Sequence, residues 1–172
     1  MFTGAALAPA TAKLISIPGG IAGVKATLAR MVDMVRTFKT DLNVRTLAGQ
    51  LVRGCAEKDY RCELSTLQAY VRDQIRYLRD VDNVETLQTP VQTVKLGYGD
   101  CDDKATLVAS LAGSIGFPTR FCAIAVRDAL DFSHVSAQAR LNGQWLNVET
   151  IVPGAGLGWF PPDATQCMLA HV

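Results

Sequence analysis

The sequence predicts an α+β fold, with helices first and an antiparallel sheet after them. Two observations carry this. Up to about residue 115, apolar residues recur at spacings of three and four, the period of a helix buried along one side. Beyond Gly116 the pattern changes to strand-like runs, two of them joined by Asn142-Gly143, the strongest two-residue hairpin signal. A chain of 172 residues, 49% hydrophobic and 19% charged, can bury a core and is not of disordered composition.

The elements follow in order. The first twenty residues, rich in Ala, Pro and Gly, predict an irregular arm. Ile21, Val24, Leu28, Met31, Val32, Val35 and Phe38 form the stripe of a first helix. A second helix is expected from about Val44 to Cys55, with Leu47, Leu51 and Val52 on one face. A third starts near Cys62 and carries Leu64, Leu67, Val71, Ile75 and Leu78. Val84 to Pro90 reads as a short extended segment ended by proline. The next helix runs from Cys101 to about Ile115, with Gly116 placed to end it and Pro118 just beyond. Strands are expected over 119–126, 133–141 and 144–149, then a Gly/Pro-rich loop over 153–162 and a last strand from Thr165 to Val172. Residues 1–60 are read as the arm and a helical extension, and 61–172 as the core, together one compact body.

The charge balance narrows the partners. A formal net charge of +1 gives no electrostatic case for nucleic acid or an anionic membrane. No apolar run is long enough to span a bilayer, and the N-terminus lacks the basic and apolar regions of a signal peptide. The five cysteines include no Cys-x-x-Cys pair, which predicts neither a disulfide framework nor a zinc site. Reduced thiols and a cytoplasmic location are the expectation. Cys122 and Cys167 read as small buried hydrophobes, and Cys55 and Cys62, flanking a charged loop, as unpaired. No metal and no cofactor are expected.

The chemistry centres on Cys101, in Gly97-Tyr98-Gly99-Asp100-Cys101-Asp102-Asp103-Lys104. The segment places a thiol at a helix start, where unpaired N–H groups and the helix dipole favour an anion. Asp100 fits the N-cap and Asp103 the third helical position, a capping-box pattern. Their negative charge opposes a thiolate, so a base must carry more of the activation. His134 supplies one. Counting outward from Asn142-Gly143, Leu141 faces Gln144 and Ser136 faces Glu149. Glu149 is then a diagonal neighbour of His134 on the same face, within reach of a long side chain. A carboxylate there would hold the imidazole in one tautomer. Cys101, His134 and Glu149 are therefore the candidate nucleophile, base and orienting carboxylate. The N–H of Cys101 is a natural oxyanion donor. Gln92 and Tyr98 are weaker candidates beside it, and Trp159, with Phe160 in the Gly/Pro-rich loop, is a candidate wall of the substrate cleft.

The run Gly99 to Arg120, together with Ser133-His134-Val135 and Gly143-Gln-Trp145-Leu-Asn-Val-Glu149-Thr150, resembles the transglutaminase-like superfamily. The resemblance spans roughly Leu64 to Thr150. It implies a papain-like α+β core, with the cysteine at the start of a central helix packed on an antiparallel sheet. It also implies a Cys–His–Asp triad and acyl transfer through a thioester. Glu149 departs from the usual Asp by one methylene, and Val135-Ser136 stands where an aromatic is common after the histidine. The stretch from Tyr77 to Pro90 resembles small stand-alone members from bacteria and phages. Such a member would act on a peptide or protein, and a phage-encoded one would have a virion or other protein assembly as partner. Hydrolysis is the simplest outcome, because water is always available. Amide cross-linking needs water excluded and an amine admitted. A catalytically silent structural or interaction module is the third reading.

Overall fold

The computed structural model describes residues 17–80, 86–126 and 132–172. Most of the expected N-terminal arm, and the start of the expected extended segment at Val84, lie outside the described residues. Three helices come first: α1 (Gly20–Phe38), α2 (Leu42–Val52) and α3 (Tyr60–Gln74). Then come a two-residue strand β1 (Arg76–Tyr77), α4 (Pro90–Leu96), a second short strand β2 (Tyr98–Gly99) and α5 (Cys101–Ser114). Strands β3 (Thr119–Val126), β4 (His134–Leu141), β5 (Gln144–Val148) and β6 (Ala164–His171) complete the described chain.

Local chemistry explains the helix starts. The Asp41 carboxylate accepts the N–H groups of Asn43 and Val44 at the head of α2, and Asp59 accepts that of Cys62 at the head of α3. α4 corrects the reading of Pro90 as the end of an extended piece. Thr89 is the N-cap and accepts the N–H of Gln92, and Pro90 opens the helix. Proline has no N–H to lose in the first turn, and its fixed φ already suits a helix. Gly97 closes α4 at φ 70°, a left-handed position suited to glycine.

α5 is the centre of the molecule. Every residue from Asp103 to Ala112 is buried. The helix packs against α1, α2, α3, α4 and strands β3 and β4. Its small residues Ala105, Ala109 and Ala112 let those elements approach closely. The core joins them to Met31 and Val35 of α1, Leu64 and Leu67 of α3, Phe121 of β3 and Val135 and Ala137 of β4. The four longer strands form one antiparallel sheet in the order β5-β4-β3-β6. Leu141 pairs with Gln144 and Ala137 with Val148, the register counted from Asn142-Gly143. β1 and β2 form a separate parallel pair, with Arg76 opposite Tyr98 and Tyr77 opposite Gly99.

The cysteines overturn the expectation of unpaired thiols. Cys55 and Cys62 are disulfide-bonded, with Cα atoms 5.7 Å apart across the turn between α2 and α3. Cys122 and Cys167 are bonded across β3 and β6, with Cα atoms 5.5 Å apart. Sequence spacing hid the second pair, because the neighbourhood of β3 and β6 is a matter of strand order. Cys122 is buried as expected, whereas Cys167 is exposed and is held by the bond. Cys101 is left as the free thiol. The two bonds remove the cysteine argument for a reducing compartment. Among the described residues no helix is long and apolar enough to cross a membrane.

Loop-closure entropy ranks the two bonds. The Cys55–Cys62 bond closes a short loop, with a separation of 7, and the Cys122–Cys167 bond a long one, with a separation of 45. Replacing Cys55 and Cys62 together by serine should cost about 2–3 kcal/mol, and replacing the other pair about 4 kcal/mol. Urea midpoints at unchanged m-value measure both. Equal or reversed losses would show that something other than chain entropy dominates.

Candidate active site

Cys101 is the first residue of α5, and the turn before it is built for that helix start. Asp100 caps the helix by accepting the N–H groups of Asp102 (3.0 Å) and Asp103 (3.1 Å). Asp103 Oδ2 accepts the N–H of Asp100 in return (3.3 Å), completing the capping box. Asp103 Oδ1 also accepts the N–H of Gln88 at 2.7 Å, which ties the segment before α4 to the same corner. Gly99 is required here, because a Cβ on it would lie 2.7 Å from the Cβ of Asp103.

The electrostatics of this corner run against a resting thiolate. Burial pushes the Cys101 thiol well above its ordinary range, and the charges of Asp102 and Asp100 push it further. The backbone N–H of Val135 acts in the opposite direction and places the sulfur beside the start of β4. The thiol donates to Asp102 Oδ1 at 3.6 Å. Asp103 is itself raised from 3.8 to about 7, first by burial and then by the charges of Asp100 and Asp80, against the N–H groups of Gln88 and Asp100.

His134 opens β4 and Glu149 follows β5. Their side chains meet at 2.8 Å, Nε2 to Oε2, with the Glu149 side chain fully buried and that of His134 only 13% exposed. The contact is the diagonal one expected from the hairpin register. Its neighbour repeats the pattern: Asn147 pairs with Gln138, and its Oδ1 accepts the Ser136 hydroxyl proton at 2.6 Å. The extra methylene of glutamate has a visible use. The side chain turns back so that Oε1 accepts the N–H groups of Thr150 (2.9 Å) and Ile151 (2.8 Å), leaving Oε2 for His134. Burial alone would raise the Glu149 carboxyl. The His134 hydrogen bond and charge, with those two N–H groups, outweigh it and hold the pKa below its ordinary value.

The Nε2 contact also defines the other ring nitrogen. If Nε2 carries the proton donated to Glu149, Nδ1 is the lone-pair acceptor. Nδ1 is buried and has no hydrogen-bond partner.

The remaining expected site residues are held by other contacts. Gln92 sits in the first turn of α4, bonded through its N–H to Thr89. Tyr98 is in β2, opposite Arg76. Trp159 is half-buried and its carbonyl accepts Asn147 Nδ2 at 2.8 Å, so the Gly/Pro-rich loop is fastened beside β5. Sequence reasoning missed Tyr77. Its hydroxyl is raised first by burial, then by its nearness to Cys101 and by the negative charges of Asp100 and Asp102, against Arg79, so it lies in the surroundings of the thiol. Only the two-residue β1–β2 pairing brings it there, and no sequence pattern marks so short a parallel pair. Among the described residues no group of three or more His, Cys, Asp and Glu side chains is arranged to hold a metal ion.

An α+β body with a lone thiol at a buried helix start, next to a strand that carries a carboxylate-bound histidine, belongs to the papain-like class of folds. The comparisons name the family. Residues 45–150 match the model of the transglutaminase-like superfamily, and the chain belongs to it. Solved structures agree on the fold. A candidate protease from Parabacteroides distasonis aligns with TM-score 0.59 at 13% identity, over 83% of this chain and 32% of that one. A candidate cysteine protease from Cytophaga hutchinsonii aligns with TM-score 0.51 at 18% identity, over 80% and 56%. Calcium-bound LapG of Legionella pneumophila aligns with TM-score 0.56 at 18% identity, over 80% of each chain. The chain thus spans about a third of the first of these and a little over half of the second. No protein of curated function matches the sequence.

Two outcomes follow from the acids. Asp102→Asn removes one charge that opposes ionisation of Cys101, so its alkylation by iodoacetamide at fixed pH should speed up several-fold. An unchanged rate, read by intact-mass spectrometry, would mean that Asp102 does not shape the thiol. Asp103 is raised on folding, so its contribution to stability is complete below about pH 4 and is lost as pH rises through about 7. Asp103→Asn should flatten that slope in urea midpoints measured against pH. Because one of two accepted hydrogen bonds is lost, stability at low pH should also fall by about 1 kcal/mol.

Proposed function

We propose that this protein is a cysteine-dependent acyl-transfer enzyme that hydrolyses a peptide or isopeptide bond through a thioester on Cys101. The observation that carries the reading is the state of His134. Its Nε2 is committed to a buried carboxylate, and its buried Nδ1 is an unpartnered acceptor near the start of the strand that meets the thiol. A histidine with a purely structural role would be expected to have both ring nitrogens satisfied.

The chemistry then runs by general-base catalysis. Because burial and two carboxylates hold Cys101 as a neutral thiol, the proton leaves as the sulfur attacks. Sγ forms a bond to the carbonyl carbon while His134 Nδ1 takes the thiol proton. Glu149 stabilises the imidazolium that results. The N–H of Cys101, at the first position of α5, is proposed to donate to the developing oxyanion. The C–N bond breaks, and the leaving amine takes the proton from His134. Water then attacks the thioester and passes a proton to His134. The acid leaves and the thiol regains its proton. Tyr77, Tyr98, Gln92 and Trp159 are proposed to border the substrate. A peptide or protein substrate fits the superfamily, and hydrolysis is preferred to cross-linking because it needs no second amine site.

A second reading, a catalytically silent module, draws on the acid pair that raises the thiol. One experiment separates the two. The protein is incubated with a peptide library, with and without added primary amine, and products and acyl-enzyme are read by mass spectrometry. Peptide cleavage lost in Cys101→Ala and slowed about 10²–10⁴-fold in His134→Ala is the expected result. Amine incorporation would assign cross-linking. Peptide cleavage that survives Cys101→Ala, or a Cys101 alkylation rate indifferent to His134→Ala, would overturn catalysis.

A further inference from the structure

We infer that Gln68 is a positioning residue for the catalytic carboxylate and, through it, for His134; the inference rests on the catalytic reading of that pair. Gln68 lies in α3 and is only 2% exposed. A buried amide of this kind costs free energy unless its donors are used. Its Nε2 donates to the carbonyl of Glu149 at 2.9 Å and to the carbonyl of Ala155 at 3.3 Å. The two bonds span 81 and 87 residues of sequence, so they carry no local helix role. Arg72, one turn further along α3, donates to the same Ala155 carbonyl at 2.6 Å.

These contacts fix the segment that needs fixing. Glu149 lies just past the end of β5, where ladder hydrogen bonds no longer hold the backbone. Its side chain must turn back to its own Thr150 and Ile151 N–H groups and still meet His134. Such a turn tolerates little backbone drift. Gln68 anchors the residue itself and the far side of the turn at once.

The same helix is tied to the nucleophile's helix. Lys104, one turn into α5 from Cys101, is buried, and its ammonium donates to the carbonyls of Ile75 (2.5 Å) and Arg72 (3.3 Å) at the C-terminal end of α3. That end of a helix favours a cation. α3 is therefore a common frame. Gln68 holds the carboxylate side of the site to it, and Lys104 holds the thiol side.

The test uses Gln68→Met, which keeps the length and loses both donors, and Gln68→Glu as a second variant in case the first fails to fold. Two readouts are taken on the full chain. The first is the rate of Cys101 alkylation by iodoacetamide against pH, with and without His134→Ala. The second is the imidazole ¹⁵N–¹H spectrum, which contains only two histidines, His134 and His171. The expected result is loss of the bonded Nε2–H signature of His134 and a drop of about tenfold or more in the His134-dependent rate, since small misplacements are costly. The pH profile should shift while thermal unfolding stays cooperative. An unchanged His134 signal and profile in a folded variant would overturn the inference and leave the catalytic reading standing. If wild-type alkylation ignores His134, the catalytic reading fails by itself. The spectrum still decides whether Gln68 positions the pair.

Discussion

The hydrogen bond from His134 Nε2 to Glu149 Oε2 is short, buried and charge-assisted, and much of the structure serves to make it. Such a bond contributes about 1.5–3 kcal/mol, and more is lost when one partner is left buried alone. It requires a hairpin in unbroken register, because a slip of one residue would move Glu149 to the other face. It requires the carboxylate to remain ionised against its burial, which the N–H groups of Thr150 and Ile151 help to achieve. It also requires the backbone past β5 to stay in place, where Gln68 reaches it from α3. What the bond leaves over is one buried ring nitrogen with nothing to hold, the atom that serves as base in the proposed reaction.

The thiol side is governed by a conflict. α5 is the most buried helix, so its first turn must satisfy its donors inside the protein. Asp100 and Asp103 do this with a capping box, and Gly99 leaves the room for it. Asp100, with Asp102, also makes a poor setting for a thiolate. The helix dipole, worth about 0.3–1 kcal/mol at an exposed terminus, does not offset burial and two adjacent negative charges. In the proposed reaction this shifts the burden of activation to His134, and proton removal during attack describes that reaction better than a standing ion pair.

Much of this was legible in the chain. The stripe from Ile21 to Phe38 became α1 and that from Leu64 to Val71 became α3, because one-sided helices advertise their period, but the expected continuation fails, with Ile75 as the C-cap and Leu78 beyond β1. Asn142-Gly143 set the hairpin and with it the His134–Glu149 diagonal. The misses share a cause. Pro90 looked like a stop and is a start, because the same residue serves both ends of an element and only Thr89 before it decides. Cys122 and Cys167 looked like separate apolar residues, because pairing depends on β6 lying beside β3. Tyr77 reaches the field of Cys101 through a two-residue pairing too short to leave a pattern.

By itself, then, the sequence determined the order of helices and strands, the helix start at Cys101 and the face shared by His134 and Glu149. Each of these rests on interactions within a few residues or on the two-residue period of a strand. Only the tertiary structure decided that Cys122 bonds Cys167 and that α3 is hydrogen-bonded to both Glu149 and Lys104. Those outcomes depend on contacts between residues tens of positions apart, such as Gln68 with Glu149 and Lys104 with Ile75. No local propensity encodes them, because they exist only once burial has left each donor no partner but the backbone carbonyls packed against it.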